Sequence, residues 1–143
     1  MTLLIDADWL IYSSCCACEQ DIQWDSNLHT LHADERDVHE MVDGRVAHYQ
    51  TIAEGDKNVV MCFTEYPTFR HTIYPEYKAN RKHKRKPLAL GKIITGIRER
   101  YQSESYQGLE GDDVMALLAT SKKYPDPIIV SVDKDMRSVP CTL

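Results

Sequence analysis

The 143-residue sequence has no apolar run long enough to cross a membrane. A membrane-spanning helix needs roughly 18 or more apolar residues in succession, whereas the longest run here, Val114–Ala119, covers one strip of a shorter helix. The opening Met1–Ile5 is too short, and has no basic flank, to be a secretory signal. These absences predict a protein with no membrane partner.

The sequence also lacks several well-known chemical motifs. The five cysteines are an odd number, and Cys15, Cys16 and Cys18 are too crowded for a disulfide framework. One CxxC pair cannot complete a tetrahedral zinc site. There is no Walker A loop, no nucleophile elbow and no GxGxxG motif. The cysteine pattern therefore favours a reducing cytoplasm, and the sequence gives no support to a P-loop or serine-hydrolase site.

Acidic and basic residues are unevenly distributed along the chain. The composition, 43% apolar and 27% charged, predicts one soluble domain over residues 1–143. The net charge of −5 alone argues against a nucleic-acid partner. However, Arg81–Lys86 is a dense basic run, and a polyanion responds to the local field. Bound divalent cations would also cancel much of the acidic charge.

Strand and helix patterns alternate along the sequence. Buried strands are predicted at Thr2–Ile5, Val59–Phe63 and Pro127–Val132, and helices at about Trp9–Glu19, Asp34–Gly55, Leu88–Gln102 and Glu110–Lys122. Residues 21–33 carry no period and are predicted to be a loop, and an irregular polar and aromatic stretch follows the second strand. Alternation of this kind predicts an α/β fold with a mostly parallel central sheet flanked by helices.

Each predicted strand runs into acidic residues. They are Asp6 and Asp8 after the first strand, Glu65 after the second, and Asp133 and Asp135 after the third. The start of the last predicted helix adds Glu110, Asp112 and Asp113. In open parallel sheets the functional crevice lies at the carboxyl ends of the strands. We therefore expect these acids to gather at one edge of the sheet.

Gathered carboxylates indicate a metal site. Two of them about 4 Å apart repel by about 4 kcal/mol at an effective dielectric of 20, so cations must neutralise them. Oxygen-only ligands suit Mg²⁺ or Mn²⁺, and two such ions cleave phosphodiesters. Taken singly, each acid has an ordinary alternative role as a helix cap, a partner of the helix dipole or a turn residue. The metal hypothesis depends on their coincidence at one edge.

Aromatic and basic residues alternate before the dense basic run. The segment Tyr74–Asn80 reads YPEYKAN and leads directly into Arg81–Lys86. Bases stack on aromatic rings and phosphates meet Lys and Arg, which suits single-stranded nucleic acid. The alternative is a solvated charged face, the commonest fate of such runs.

Five motifs together resemble the phage-encoded 5′→3′ exonucleases of the flap-endonuclease superfamily. They are Leu4–Leu10, Phe63–Glu65, Tyr74–Arg81, Leu109–Met115 and Ser131–Asp135, and the match is tightest over Val59–Pro87 and Leu109–Met136. The resemblance implies a sheet like that of PIN and resolvase folds, with a helical arch at about residues 74–90. It also implies a magnesium-dependent nuclease, with two ions in the complete enzyme, acting on DNA with 5′ ends or flaps. Roles in phage DNA replication and host DNA degradation, in the host cell cytoplasm, would follow.

The resemblance also implies roles for single residues. Asp6, Glu110, Asp112, Asp113, Asp133 and Asp135 match metal-site acids, and Glu65 falls where the family usually has Asp. Lys78 matches the arch lysine that engages the scissile phosphate, Arg81 its neighbouring arginine, and Arg70 a basic residue near the phosphate backbone. The further candidate nucleic-acid contacts are Tyr77, Lys82, Lys84, Arg85 and Lys86. The candidate catalytic residues are Lys78, Arg81 and Asp113.

Family members continue past this point, into a second acidic pair and a helix–three-turn–helix element that grips duplex DNA. Three explanations stay open for the absent half: a fragment, a gene split into two polypeptides, or a decayed enzyme. In the split case we expect a separate polypeptide to carry the C-terminal half. Two other hypotheses stay open. One is a non-catalytic DNA-binding or assembly subunit, and the other is a compact PIN-type ribonuclease that needs no downstream half.

Overall fold

A computed structural model describes residues 1–26, 28–54, 58–77 and 86–140. Its elements are β1 (Thr2–Asp6), α1 (Ala7–Cys18), β2 (Gln20–Gln23), β3 (His29–His32), α2 (Glu35–Ile52), β4 (Asn58–Cys62), α3 (Phe69–Ile73), α4 (Leu90–Arg100), β5 (Gln102–Glu104), α5 (Gly111–Thr120), β6 (Pro127–Val130) and a 3-10 helix (Lys134–Ser138). Within the described residues, no helix is both long and apolar enough to cross a membrane.

The central sheet has four parallel strands in the order β5-β4-β1-β6. β1 lies between β4 and β6, and its Leu3 pairs with Val59 on one side and Ile128 on the other. All five residues of β1 are buried, as expected for a central strand with helices on both faces. The predicted α/β fold with a parallel sheet is therefore confirmed.

Side chains of β1 alternate between two hydrophobic cores, because successive residues of a strand point to opposite faces. Leu3 and Ile5 pack in the larger core, which contains apolar residues of α1, α2 and α4. Leu4 packs in the smaller core with Val114 and Leu118 of α5. The sheet is therefore held from both sides, and its carboxyl edge is fixed by the helices that start there.

The prediction of a loop over residues 21–33 is wrong. β2 and β3 form an antiparallel hairpin, in which Gln20 pairs with His32 and Gln23 with His29. The described side chains of this hairpin are largely exposed. A short strand whose described side chains are not buried gives little hydrophobic period, and the sequence of residues 21–33 shows none.

Two further elements differ from the sequence predictions. The helix expected to reach Gln102 ends at Arg100, because Tyr101 is extended, with φ −112° and ψ 150°, and starts the turn into β5. The stretch expected to be irregular contains α3, which is only five residues long and too short to show a helical period. The other predicted strands and helices are present, shifted by a few residues at their ends, and the predicted helix stop at Gly55 lies outside the described residues.

Candidate active site

Asp6 ends β1 and caps α1. One of its carboxylate oxygens accepts a hydrogen bond from the Trp9 N–H at 3.3 Å, and the other accepts one from the Ser131 hydroxyl at 3.3 Å. The residue is 8% exposed. Burial, together with the nearby charges of Asp8 and Asp112, raises the pKa of Asp6 from 3.8 to about 6 in spite of its two hydrogen bonds. The site thus contains a carboxylate that is costly to ionise without a compensating cation.

Asp8, in the first turn of α1, is hydrogen-bonded to Thr64, which follows the end of β4. Its Oδ2 accepts hydrogen bonds from the Thr64 N–H at 3.0 Å and from the Thr64 hydroxyl at 2.6 Å. The Thr64 oxygen in turn accepts from the Gly111 N–H at 2.9 Å. Burial raises the pKa of Asp8 in spite of these bonds. Asp8 is not among the metal ligands predicted from the sequence. Its fixed place depends on Thr64, which lies in the Phe63–Glu65 motif but has no predicted role.

The start of α5 carries three of the predicted acids. Glu110 is the N-cap residue and forms a capping box, and its N–H donates to Asp113 Oδ2 at 3.2 Å. Asp112 and Asp113 lie in the first turn, where the helix dipole favours anions. Gly111 lets this turn approach the sheet closely, because a Cβ there would lie 3.3 Å from Asp8 Oδ2 and 3.4 Å from the Cys62 carbonyl oxygen.

Arg70, on α3, makes a two-pronged ion pair with Asp113. Its Nη1 lies 2.6 Å from Asp113 Oδ2 and its Nη2 3.0 Å from Oδ1, so both carboxylate oxygens are engaged. Nη1 is also 3.5 Å from a Glu110 carboxylate oxygen. The Asp113 hydrogen bonds raise the pKa of Arg70, which is therefore a permanent cation among the acids. The predicted phosphate contact of Arg70 stays a prediction, since the guanidinium here faces carboxylates.

Glu65 makes no direct contact with the other acids, and its predicted role as a metal ligand stays a prediction. Its carboxylate accepts a hydrogen bond from the Ser105 hydroxyl at 3.0 Å and lies 3.7 Å from Arg98 Nη1. Neighbouring side chains of an extended chain point to opposite sides, and Thr64 already faces Asp8. Because Thr64 faces Asp8, the next side chain, that of Glu65, points to the other side and reaches Ser105, just after β5.

Asp133 and Asp135 follow β6. Asp133 caps the 3-10 helix by accepting from the Asp135 N–H at 2.9 Å, and its own N–H donates to Ser131 Oγ at 3.1 Å. Because Ser131 also bonds Asp6, the segment is tied to the end of β1. Asp133 is half-buried and Asp135 is exposed. Both are close to this edge of the sheet, and their predicted role as ligands stays a prediction.

The acids at this edge fit a hard divalent cation by their chemistry, because every donor is a carboxylate oxygen. Mutual repulsion is already present: the charges of Asp8 and Asp112 act on Asp6, and that of Glu110 acts on Asp8. Within residues 1–26, 28–54, 58–77 and 86–140, however, no three His, Cys, Asp or Glu side chains converge closely enough to hold a metal ion. Side chains must therefore move before one ion can contact several of them.

The predicted nucleic-acid contacts fall mostly on residues that the structure does not describe. Lys78, Arg81, Lys82, Lys84 and Arg85 lie outside the described residues. Tyr77, just before them, packs edge-on against His71, with ring centroids 5.5 Å apart, and Lys86, just after them, is exposed. A cavity lined by Cys18, Gln20 and residues 32–37 lies at the base of the hairpin, and none of the acids discussed above lines it.

The fold and the site define an α/β domain with a parallel sheet whose carboxyl edge gathers acidic side chains, two of which lie against Arg70. The family is shown by sequence: the chain belongs to the family of the 5′-3′ exonuclease N-terminal, resolvase-like domain, whose model matches residues 1–140. The resemblance to 5′→3′ exonucleases is therefore confirmed.

Curated relatives include phage nucleases and bacterial flap endonucleases. The chain is 29% identical to the exonuclease of Escherichia phage T7 over 146 aligned positions, covering 96% of this chain and 49% of the relative. Identity to the exodeoxyribonuclease of Enterobacteria phage T3 is 28%, covering 96% and 48%. The flap endonuclease Xni of Shewanella sp. (strain MR-4) is 38% identical over 73 positions, covering 47% and 27%. The chain thus spans about half the length of the phage relatives that it matches.

Two similar solved structures come from bacteriophage T5. A T5 protein crystallised with metal ions superimposes with a TM-score of 0.60, covering 94% of this chain and 49% of that one. The T5 flap endonuclease in a complex with DNA and metal ions gives 0.55, covering 94% and 50%. Sequence identity is 14% in both cases, so these likenesses show the fold alone.

Proposed function

We propose that this chain is the carboxylate-bearing domain of a divalent-metal-dependent 5′→3′ exonuclease, or flap-type nuclease, that hydrolyses DNA and the RNA of RNA–DNA hybrids. The observation that carries the proposal is the gathering of Asp6, Asp8 and the first turn of α5 at the carboxyl edge of the sheet. The T7 and T3 relatives are named as exonucleases, and the T5 relative was solved with DNA and metal ions.

In this proposal the metal is Mg²⁺ or Mn²⁺. Asp6, Glu110, Asp112 and Asp113 would hold one ion, and Asp133 and Asp135 would contribute to a second. When bound, such ions make a water more acidic and neutralise charge on the phosphate oxygens. Asp8 and Thr64 hold the start of α5 against the strand ends, and the charge of Asp112 in this turn acts on Asp6.

The nucleic-acid part of the proposal rests on the sequence of the basic segment. Lys78 and Arg81 would steady the phosphate oxygens as charge develops on them. Lys82, Lys84, Arg85 and Lys86 would give affinity without sequence preference. Tyr77 directly precedes this segment, and its ring packs against that of His71, so aromatic rings lie where the segment begins.

We propose further that full activity requires a downstream half, on the same or a separate polypeptide. Support comes from the length of the phage relatives, of which the chain covers 49% and 48%. Such a half would carry the second acidic pair and the helix–three-turn–helix element.

One observation favours a second candidate, a non-catalytic DNA-binding or assembly subunit. Arg70 already neutralises Asp113, so this edge can persist as an ion-paired structure without metal. Turnover separates the two candidates. We expect Mg²⁺-dependent cleavage of a 5′-ended duplex that rises when the downstream polypeptide is added and is lost in Asp112→Asn. DNA binding without cleavage, in the presence of that polypeptide, would instead support the subunit.

A further inference from the structure

Arg70 occupies the position of a counter-ion within the acidic edge. Both oxygens of Asp113 accept from its guanidinium, at 2.6 and 3.0 Å, and Glu110 is 3.5 Å away. The guanidinium carbon also lies 4.6 Å from the centroid of the Phe69 ring. Arg70 therefore contacts two carboxylates and, more weakly, the face of one aromatic ring.

A divalent cation and this guanidinium need the same atoms. A carboxylate whose two oxygens point into a planar fork has its preferred metal-facing directions occupied by N–H groups. The two positive charges would also repel each other at such close range. Asp113 Oδ2 also accepts from the Glu110 N–H at 3.2 Å, so both of its lone pairs are engaged. An ion that uses Oδ2 must therefore displace Arg70, and an ion that uses Oδ1 must approach beside the positive charge of the guanidinium.

The backbone of Arg70 is held independently of this ion pair. The N–H of its neighbour Phe69 donates to the Gly108 carbonyl oxygen at 2.7 Å, and the buried Thr68 forms a capping box with His71. Displacement of the guanidinium therefore needs a change of side-chain rotamer and leaves α3 in place. The Phe69 ring offers an alternative support for the released cation.

We infer that Arg70 is a positioning residue that holds Asp113 in the metal-free protein and competes with the divalent cation for it. The inference rests on the proposed function, since it concerns the same site. The inference predicts that removal of Arg70 lowers the Kd for the divalent cation. A merely structural arginine would have the opposite effect, because its loss would misplace Asp113 and weaken binding.

The test is calorimetric titration of Mn²⁺ into the metal-free chain and into Arg70→Gln. Arg98→Gln is the matched control, because Arg98 is similarly exposed, 37% against 33%, lies 4.3 Å from the Phe63 ring centroid and pairs with Glu65. The control measures the effect of losing any nearby positive charge. We expect Kd to fall roughly tenfold more in Arg70→Gln than in Arg98→Gln.

Equal Kd values in the two variants, or weaker binding in Arg70→Gln, would overturn the inference while leaving the proposed metal site intact. Absence of Mn²⁺ binding in every form of the protein would overturn both. If Arg70→Gln does not fold, NMR of the Arg70 guanidinium N–H groups in the unmodified chain gives the answer. Their signals should shift on addition of Mg²⁺, and unchanged signals with bound Mg²⁺ would refute competition.

Discussion

The hydroxyl of Thr64 lies between the carboxylate of Asp8 and the first N–H of α5. It donates to Asp8 Oδ2 at 2.6 Å and accepts from Gly111 at 2.9 Å. One side chain thus connects the ends of β1 and β4 to the helix that carries Asp112 and Asp113. The relative placement of the acids is therefore set by hydrogen bonds between segments 56 and 47 residues apart in the chain.

We predict that Thr64→Val destabilises the protein, whereas Thr64→Ser does not. Valine has nearly the same shape but leaves the buried Gly111 N–H and one bond of the half-buried Asp8 unsatisfied, at a cost of roughly 1–3 kcal/mol. Serine keeps the hydroxyl and loses only a methyl group. Urea unfolding of the three proteins measures the difference. Equal losses in both variants would mean that packing, and not the hydroxyl, is what matters at this position.

A pH-dependent cost of the buried Asp6 charge is also expected. Its pKa is raised from 3.8 to about 6, so the folded state keeps the proton that the unfolded chain releases. The stability present below about pH 4 is therefore lost as pH rises through 6, by about 3 kcal/mol. Asp6→Asn keeps the helix cap and removes the charge. In metal-free buffer, its stability relative to the unmodified protein should increase between pH 4 and 7, and a constant difference would contradict this.

Metal binding should raise the melting temperature of the unmodified chain. An ion that binds only the folded state stabilises it by about 2.7 kcal/mol at a hundredfold excess over Kd. The shift should be small in Asp112→Asn and retained in Glu65→Gln, because Glu65 contacts Ser105 and Arg98 and not the other acids. Melting with and without millimolar Mn²⁺ measures all three. Loss of the Mn²⁺-induced rise in melting temperature in Glu65→Gln would instead indicate that Glu65 is a metal ligand.

The sequence predicts the parts of the fold that depend on local pattern. β1, β4 and β6 are recognisable because they are short apolar runs, and α2 because its cap Asp34 precedes a helical period. The hairpin of β2 and β3 escapes detection, since it has no buried face in its described side chains. Pattern methods therefore fail where polar segments pair with each other.

The candidate site is predictable in composition but not in geometry. That acids collect at the strand ends follows from the parallel sheet, and Asp6 is found in this way. Whether Glu65 or Thr64 faces the site depends on a one-residue register that sequence does not reveal. The pairing of Arg70 with Asp113 joins residues 43 positions apart and has no local signal. Tertiary contacts determine which acids are paired.

Two glycine substitutions should have opposite effects on stability. A Cβ at Gly111 would lie 3.3 Å from Asp8 Oδ2, which accepts two hydrogen bonds from Thr64, and 3.4 Å from the Cys62 carbonyl oxygen, an ordinary contact distance. Gly111→Ala therefore requires Asp8 or the first turn of α5 to give by a few tenths of an ångström, which we expect to weaken the bond from the residue-111 N–H to Thr64. At Gly44, within α2, nothing lies within 4 Å of an added Cβ.

We therefore expect Gly44→Ala to stabilise the chain by roughly 0.5–1 kcal/mol, through helix propensity alone. Gly111→Ala should destabilise it by roughly 1 kcal/mol or more and should also raise the Kd for Mn²⁺, because Asp112 and Asp113 move with the turn. Urea unfolding and calorimetry on both variants separate these effects. Unchanged stability and unchanged Mn²⁺ affinity in Gly111→Ala would show that the close approach of α5 to Asp8 does not set the geometry of the site.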